Sequence, residues 1–194
     1  MRLESLPPTF TTKAARECGI HSRDISRWRD VGDIVELSRG VFRKAGAPQP
    51  TYPDLLAVAT RAPRAIICCL SAAAAYDLTD ERTPSVQIAV SAAINAPKID
   101  YPPTTVMRFA PTEFELGLAM IEAAPGESIR IYDPARTVVD MIRLRSRFGE
   151  PVAYNILHRY LAAPKARPAK LLNYARSLHV FGPVRAALDI VSSR

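Results

Sequence analysis

The chain has 194 residues, enough for one or two domains, and 48% of them are apolar, which argues against a disordered protein. Lys and Arg (26) outnumber Asp and Glu (19) and give a net charge of +7, which favours an anionic partner, nucleic acid first. Because no apolar run reaches the roughly 18 residues of a membrane span and no secretory signal is recognisable at the N-terminus, we expect a cytoplasmic protein without membrane contact.

Two short helices are predicted near the N-terminus. Thr11 and Thr12 can cap the first helix over residues 13–18, and Gly19 follows it where a helix C-terminus favours glycine. Ser22 is expected to cap the second helix, residues 23–31, which Gly32 then ends. The short connection between the two helices predicts a helix-turn-helix.

A tight β-hairpin is predicted directly after the second helix. Two β-rich runs, residues 34–37 and 41–42, flank the turn residues 38–40, of which Gly40 permits a left-handed backbone. Helix, turn, helix and hairpin in this order are typical of a winged helix-turn-helix. We therefore predict a DNA-binding domain over residues 1–46.

A Pro- and Gly-containing linker, residues 45–51, separates this domain from a second one over residues 50–194. In the second domain, buried strands are predicted over residues 65–70, 85–91, 104–109, 118–123 and 128–132. Helices are predicted over residues 53–61, 72–78 (capped by Ser71), 135–148, 152–162, 169–178 and 183–191. The fold class is therefore α+β, with an N-terminal winged helix-turn-helix and a mixed α/β domain whose C-terminal half is helical.

The second helix has the pattern of a recognition helix. At helical spacing, Ile25, Trp28 and Val31 share an apolar face that should pack on the domain core. The exposed residues are expected to meet DNA: Ser22 at the helix start, Arg23, Ser26, Arg27 and Asp30 on the opposite face, and Arg29 on a flank. Arginine can donate two hydrogen bonds to guanine, and serine and aspartate can also meet base edges.

Further basic residues extend this predicted DNA surface. Arg39, at the hairpin turn, is placed to reach the minor groove or a phosphate. Arg43 and Lys44, at the end of the hairpin, are expected to meet phosphates, as are Lys13 and Arg16 on the first helix.

Charge is distributed unevenly along the chain. Residues 1–46 carry nine Lys and Arg against six Asp and Glu, residues 47–142 carry seven against eleven, and residues 143–194 carry ten against two. Two basic ends around an acidic middle favour nucleic-acid contacts at both ends. For the C-terminal end, a basic helical surface with no such contact is the alternative.

Residue patterns typical of enzymes and metal sites are missing from the sequence. It holds no phosphate-binding or dinucleotide-binding glycine motif, no nucleophile elbow and no metal-ligand spacing of its three histidines, so we expect no catalysis, no cofactor and no metal. Asp133 is interpreted as a helix cap and Asp140 as a partner for a nearby arginine. Cys18, Cys68 and Cys69 contain no C-x-x-C motif and are interpreted as buried free thiols.

Three stretches, in order, resemble the AbiEi-type antitoxins, a family of winged-helix regulators of viral defence systems. Residues 19–43 resemble the family's winged-helix block, and residues 69–91 resemble its Ser-Ala-Ala segment and following strand. Residues 129–143 carry the most specific match, an Arg-Thr-hydrophobic-hydrophobic-Asp signature at Arg136, Thr137 and Asp140.

The resemblance implies an antitoxin of a two-gene type IV toxin–antitoxin system, active in phage defence by abortive infection. It implies that the N-terminal domain binds double-stranded DNA at repeated sites in its own promoter and represses transcription. The C-terminal domain would be needed to neutralise a nucleotidyltransferase-like toxin, by direct contact or through a functional relationship.

Several alternatives stay open at this point. Only about ten residues precede the first helix, so the leading helix of a three-helix winged domain is either absent or replaced by the packing of residues 3–8. Arg136 and Asp140, four residues apart on one helix, form either a fold-stabilising network or a functional surface. The chain could also be a kinase-like or nuclease-like enzyme acting on the toxin or its nucleic-acid substrate, or a non-catalytic toxin-binding protein.

Overall fold

The computed structural model describes residues 3–192, which form ten helices and two β-sheets in a mixed α+β arrangement. The first sheet belongs to the N-terminal region. Its elements are β1 (Thr9–Thr11), α1 (Thr12–Glu17), α2 (Ser22–Asp30), β2 (Ile34–Ser38) and β3 (Val41–Lys44). The sheet is antiparallel in the order β1-β3-β2, so the predicted hairpin is present and gains a third strand at its β3 edge.

Of the two helix caps predicted in this region, the one at the start of α1 is present and the one at the start of α2 is not. Thr11 caps α1, since its hydroxyl accepts a hydrogen bond from the Ala14 backbone N–H at 3.0 Å. The predicted cap of α2 is wrong: Ser22 is already its first helical residue, and His21 precedes it without a side-chain capping bond. The φ of +74° at Gly19 lets the chain turn sharply between the helices, as the sequence predicts.

The N-terminal region has its own apolar cluster, centred on α2. Ile25 and Trp28 are 5% and 7% exposed and pack with Phe10 and Phe42. Val31, predicted on the same face, is 65% exposed. That prediction is wrong because Val31 follows the last residue of α2 and, at about 100° per residue, lies at the margin of the apolar face and not at its centre.

Residues 3–8 contain no helix, and Leu6 from this segment packs into the N-terminal cluster. The side-chain ammonium of Lys44 donates to the carbonyl oxygen of Leu6 and, at 3.3 Å, to that of Glu4. Of the two alternatives left open by the sequence, the structure therefore has the one in which residues 3–8 pack in place of a leading helix.

The second sheet has five strands in the order β6-β5-β4-β8-β7. Its strands are β4 (Ile66–Ile67), β5 (Val86–Ser91), β6 (Thr104–Phe109), β7 (Leu118–Ala124) and β8 (Glu127–Tyr132). The β5/β6 and β4/β8 pairs are parallel, and the β4/β5 and β7/β8 pairs are antiparallel. Three helices accompany the strands: α3 (Pro53–Arg61), α4 (Cys69–Ala75) and α5 (Pro111–Phe114).

The remaining helices are α6 (Pro134–Arg143), α7 (Arg145–Phe148), α8 (Glu150–Ala162), α9 (Pro168–Ser177) and α10 (Phe181–Ser192). One continuous helix is predicted over residues 135–148, but the backbone leaves the helical region at Leu144 and divides it. The predicted Ser71 cap is also wrong. Ser71 lies inside α4, and its hydroxyl accepts a bond from the Gln87 backbone N–H at 2.9 Å, which ties the helix to β5.

Both faces of the five-stranded sheet are covered. Ile66 and Ile67, neighbours on β4, point to opposite faces and belong to different apolar clusters. The cluster with Ile66 contains residues of α6, α8, α9 and α10, while the cluster with Ile67 contains residues of α3. No helix in the described part of the chain is long and apolar enough to cross a membrane.

The two sheets are joined by contacts at the hairpin. Arg43 is buried, and its guanidinium donates to Glu127 on β8, to the Thr9 hydroxyl and to the Pro48 carbonyl oxygen. At the other end of the hairpin, the Ser38 hydroxyl donates to the carbonyl oxygen of Tyr101. The hairpin is therefore anchored at its base and near its turn.

Candidate nucleic-acid interface

One face of α2 is polar and faces solvent. Arg23, Ser26 and Arg27 are exposed, as are Ser22 at the helix start and Asp30 at its end. The opposite face is buried through Ile25 and Trp28. This is the division of faces that the sequence predicts for residues 22–30.

The arginines of α2 differ in their partners. Within the described residues, Arg23 and Arg27 form no ion pair, so their guanidinium groups are available to a ligand. Arg29 lies 3.7 Å from Asp30 and 3.7 Å from Glu36, measured between charged atoms, and is thereby partly neutralised. Arg23 and Arg27, predicted to read bases, are therefore more available to DNA than Arg29 on the flank of the helix.

Helix α1 adds two exposed cations beside α2. Lys13 lies 3.8 Å from Glu17 one turn further along the helix, with both side chains largely in solvent. Such a pair contributes little to stability and leaves the ammonium accessible. Arg16 is exposed and makes no ion pair within residues 3–192.

The hairpin turn holds Arg39 at the surface. Gly40 follows it with φ of +75°, and its N–H donates to the Glu36 carboxylate at 2.9 Å. The Gly40 carbonyl oxygen accepts the Thr12 N–H at 2.9 Å, which connects the turn to the first residue of α1. The backbone that carries Arg39 is therefore held on two sides.

Arg43 and Lys44, expected to meet phosphates, point into the protein instead. Glu127 and two oxygen acceptors enclose the Arg43 guanidinium, and the Lys44 ammonium binds backbone carbonyl oxygens of residues 4 and 6. Both serve the internal structure here, because a buried or half-buried cation needs partners of its own. Neither side chain is therefore part of the candidate interface.

Much of the basic charge at the C-terminal end pairs with the acidic middle of the chain. Arg159 pairs with Asp80, Arg143 with Glu113 and Asp140 at 3.0 Å each, and Lys170 with Asp133 at 2.8 Å. The charge asymmetry along the sequence is thus partly cancelled by folding. Four cations of residues 143–192 are left without an acidic partner in the described chain: Arg147, Lys165, Arg167 and Arg176.

The Arg136–Asp140 signature lies in the core. Both side chains are wholly buried, and the Arg136 Nε donates to Asp140 at 2.9 Å. Arg136 Nη1 donates to the carbonyl oxygens of Glu113 and Leu116 at 2.8 and 2.7 Å. The arrangement is the fold-stabilising network, and the alternative of a functional surface is excluded by burial.

Two neighbouring residues complete this core network. Asp133 caps α6, as predicted, by accepting the Arg136 N–H at 2.9 Å. The Thr137 hydroxyl, also buried, donates to the Tyr132 carbonyl oxygen at 3.2 Å. Burial raises the pKa of Asp140 above its ordinary value, and Arg136 and Arg143 oppose that rise.

Gly117 has a role that no pattern in the sequence indicates. Its φ is +78°, and a β-carbon built there would lie 2.6 Å from Cβ of Arg136. The loop before β7 therefore lies directly on Arg136, and only glycine fits. Nothing local in the sequence indicates this contact, because the two residues meet through the tertiary fold.

The cysteines are free, and two of the three are buried as predicted. Cys68 and Cys69 lie in the core, but the prediction is wrong for Cys18, which is exposed at the C-terminal end of α1. Burial raises the pKa of the Cys68 thiol well above its ordinary value. Among residues 3–192, no three side chains of His, Cys, Asp or Glu converge as metal ligands.

Comparison with known proteins agrees with the resemblance at the N-terminus. Residues 1–43 match a family model described as "Transcriptional regulator, AbiEi antitoxin". The match contains α1, α2 and most of the hairpin, and it supports a role as an antitoxin or transcriptional regulator. A comparison with curated proteins gives no match.

A solved structure is similar in fold over nearly the whole chain. The crystal structure of the RV2827C protein from Mycobacterium tuberculosis aligns with a TM-score of 0.59 at 16% identity, covering 98% of this chain and 78% of that one. The overall fold of this chain thus has a counterpart among experimentally determined structures.

Proposed function

We propose that this protein is a DNA-binding autorepressor and the antitoxin of a type IV toxin–antitoxin system. The observation that carries the proposal is the free polar face of α2, with Arg23, Ser26 and Arg27 exposed opposite the buried Ile25 and Trp28. It lies within the residues that match the AbiEi regulator model. In this proposal residues 1–46 act as a winged helix-turn-helix, with α2 as recognition helix and the β2–β3 hairpin as wing.

Base reading is assigned to the centre of α2. Arg23 and Arg27 can each donate a pair of hydrogen bonds to guanine O6 and N7 in the major groove. Ser26, one turn after Ser22 on the same side of α2, can bind either a base edge or a phosphate. Neither arginine has an acidic partner among residues 3–192, so their contacts with DNA would break no ion pair in that part of the chain.

Positioning on the duplex is assigned to the surrounding cations. Arg16 and Lys13 on α1 would contact the phosphate backbone, and Arg39 at the hairpin turn would enter the adjacent minor groove or contact a phosphate. Each neutralised phosphate makes log K fall with log salt by a slope of about −0.9. Repression then follows from occupancy of the promoter, and the protein acts in the cytoplasm without catalysis.

Neutralisation of a nucleotidyltransferase-like toxin is assigned to residues 50–194. Support for this assignment comes from the signature stretch, residues 129–143, which resembles the antitoxin family and forms β8 and α6 at the centre of the second region. Arg136 and Asp140 are wholly buried, so they would stabilise the fold of this region and would not contact the toxin themselves.

The test of DNA binding is a mobility-shift titration of the full chain on the DNA upstream of its own gene. Unrelated duplex of the same length and composition is the control. We expect tighter binding to the upstream DNA, a difference that an Arg23→Ala/Arg27→Ala variant abolishes. Equal affinity for both duplexes would contradict the autorepressor proposal.

The test of antitoxin activity is co-expression with the product of the neighbouring gene, which this proposal expects to be a nucleotidyltransferase-like toxin. We expect the full chain to restore growth, and the Arg23→Ala/Arg27→Ala variant to restore it equally when expressed from an unrelated promoter. Growth arrest that persists with a soluble, folded full chain would contradict the antitoxin assignment and leave the DNA result standing.

A further inference from the structure

The unpaired cations of the C-terminal helices are not evenly placed. Lys165 and Arg167 both line one depression between the end of α8 and the start of α9, and Lys170 lines it as well. The depression has a volume of about 440 Å³, and Pro134 and Ala135, at the start of α6, form another part of its wall. The remaining unpaired cations, Arg147 and Arg176, do not line it.

The loop that carries these cations is held in place. The Arg167 backbone N–H donates to the Tyr160 hydroxyl oxygen at 3.0 Å, and this hydroxyl lies 3.3 Å from the Arg167 carbonyl oxygen. Tyr160 itself is buried on α8. The Lys165 and Arg167 side chains therefore extend from a fixed backbone, which reduces the entropy lost when they bind a ligand.

The one carboxylate in the depression is already neutralised. Asp133 accepts the Arg136 N–H with one oxygen, and with the other it accepts the Tyr174 hydroxyl at 2.7 Å and the Lys170 ammonium at 2.8 Å. Lys170 and Asp133 cancel each other, so the four charged side chains give the depression a charge of +2. Both α6 and α9 also begin here, and helix N-termini carry partial positive charge.

We propose that this depression binds the phosphate group of a phosphate ester. Arg167 would meet two phosphate oxygens and Lys165 a third, since arginine matches phosphate geometry with two parallel donors and lysine acts as a point charge. A phosphate monoester carries roughly −1.5 to −2 at pH 7, which matches the charge of the depression better than a single carboxylate does. The phosphate belongs either to a free nucleotide, whose monoester matches this charge, or to a nucleic-acid backbone, whose diester carries a charge of about −1 per phosphate. In either case the site uses no residue of α2.

The test is calorimetric titration of the full chain, at low salt, with adenosine 5′-monophosphate and with adenosine. We expect the nucleotide to bind and the nucleoside not to bind. A Lys165→Gln/Arg167→Gln variant should bind the nucleotide at least about tenfold more weakly, the effect of losing charge-assisted hydrogen bonds. The matched control is Arg147→Gln/Arg176→Gln, which removes the same charge elsewhere and should leave the affinity unchanged.

A second arm identifies the source of the phosphate. If unrelated duplex DNA also loses affinity in the Lys165→Gln/Arg167→Gln variant relative to the control variant, the depression accepts backbone phosphates. If only the nucleotide responds, its ligand is a free nucleotide. Equal losses in both variants, or no response of either probe in folded protein, overturn the proposal, as does an acidic peptide that competes as well as the nucleotide.

Discussion

The guanidinium of Arg136 lies over the ring of Tyr132, 4.4 Å from its centroid, and both side chains are wholly buried. The cation thereby meets an aromatic face on one side and Asp140 and two carbonyl oxygens at its edge. One arginine thus connects β8, α6 and the α5–β7 connection. Its Nη2 has no hydrogen-bond partner in the part of the chain that the structure describes, so the network is dense but not fully satisfied.

We expect Arg136→Met to destabilise the protein by about 3–5 kcal/mol, because the substitution leaves the Asp140 carboxylate buried with its main partner removed. Urea unfolding followed by circular dichroism measures the change. The double variant Arg136→Met/Asp140→Leu should recover much of the loss, since an apolar pair needs no compensation. A single variant as stable as the natural protein would contradict the role of this ion pair.

Gly117→Ala should destabilise the protein far more than Gly126→Ala. Both glycines have left-handed backbones, with φ of +78° and +76°, so both substitutions introduce the same backbone strain of about 1–2 kcal/mol. A β-carbon at Gly117 additionally meets Arg136 Cβ at 2.6 Å, whereas one at Gly126 meets nothing within 4 Å. Equal midpoints of thermal unfolding for the two variants would show that the loop can move off Arg136.

Arg27→Ala is expected to weaken specific DNA binding by about 1–3 kcal/mol, the range for a lost bidentate base contact. The side chain is exposed and has no acidic partner within the described residues. A fluorescence-anisotropy titration with upstream DNA measures it. Arg61→Ala, on the exposed end of α3, is the control and should change the affinity little. If both variants bind like the natural protein, α2 does not read bases.

Trp28→Ala should loosen the N-terminal region by roughly 3–5 kcal/mol, as large-to-small changes of buried aromatics do. Trp28 is 7% exposed and belongs to one apolar cluster with Ile25, Phe10 and Phe42. Thermal unfolding of the region measures the loss, and Trp28→Phe should cost much less. Because Trp28 is the only tryptophan, its emission reports this site alone, and emission typical of an indole in water would contradict the burial.

Stability should fall as the pH rises above 10. Burial raises the pKa of Tyr76 to about 12 and also raises that of Tyr132, so above pH 10 the unfolded chain releases phenolic protons that the native protein retains. The hydrogen bond to Asp133 raises the pKa of Lys170, whose contribution is present below about pH 10.5 and lost above it. All three effects have the same sign.

Urea unfolding at pH 9, 10 and 11 measures this dependence, and ionic strength is held constant because the Lys170 pair is partly exposed. Tyr76→Phe should flatten the decline, while the exposed Tyr101→Phe should not. Constant stability across this range would mean that folding does not raise the pKa of Tyr76 and Tyr132.

The sequence predicts best what depends on nearby residues. Glycines bracket α2 closely, and helical spacing places Ile25 and Trp28 on its buried face. Val31, at the margin of that face and one residue beyond the end of the helix, is exposed. Strand β1 has three residues and no periodicity to detect, so it is recognisable only through its pairing with β3.

For the candidate nucleic-acid interface, too, the sequence predicts only what depends on nearby residues. The exposure of Arg23, Ser26 and Arg27 follows from local periodicity, whereas the partners of the other cations do not. Arg43 and Lys44 stand next to each other at the end of a hairpin, and their inward direction depends on Glu127, 84 residues away from Arg43, and on residues 4 and 6. Charge counts along the sequence carry no information on such pairings.

The ion pair between Arg43 and Glu127 also has a thermodynamic consequence. It connects the hairpin, which would lie against DNA, to the start of β8 in the region assigned to the toxin. Suppose that a partner binds more tightly to one conformation of the β7–β8 turn than to another. Through the ion pair, its binding would then also favour one position of the hairpin. Thermodynamic linkage requires this coupling between the two binding sites to be reciprocal. Operator DNA would then change the affinity for that partner by the same factor by which the partner changes the affinity for the operator.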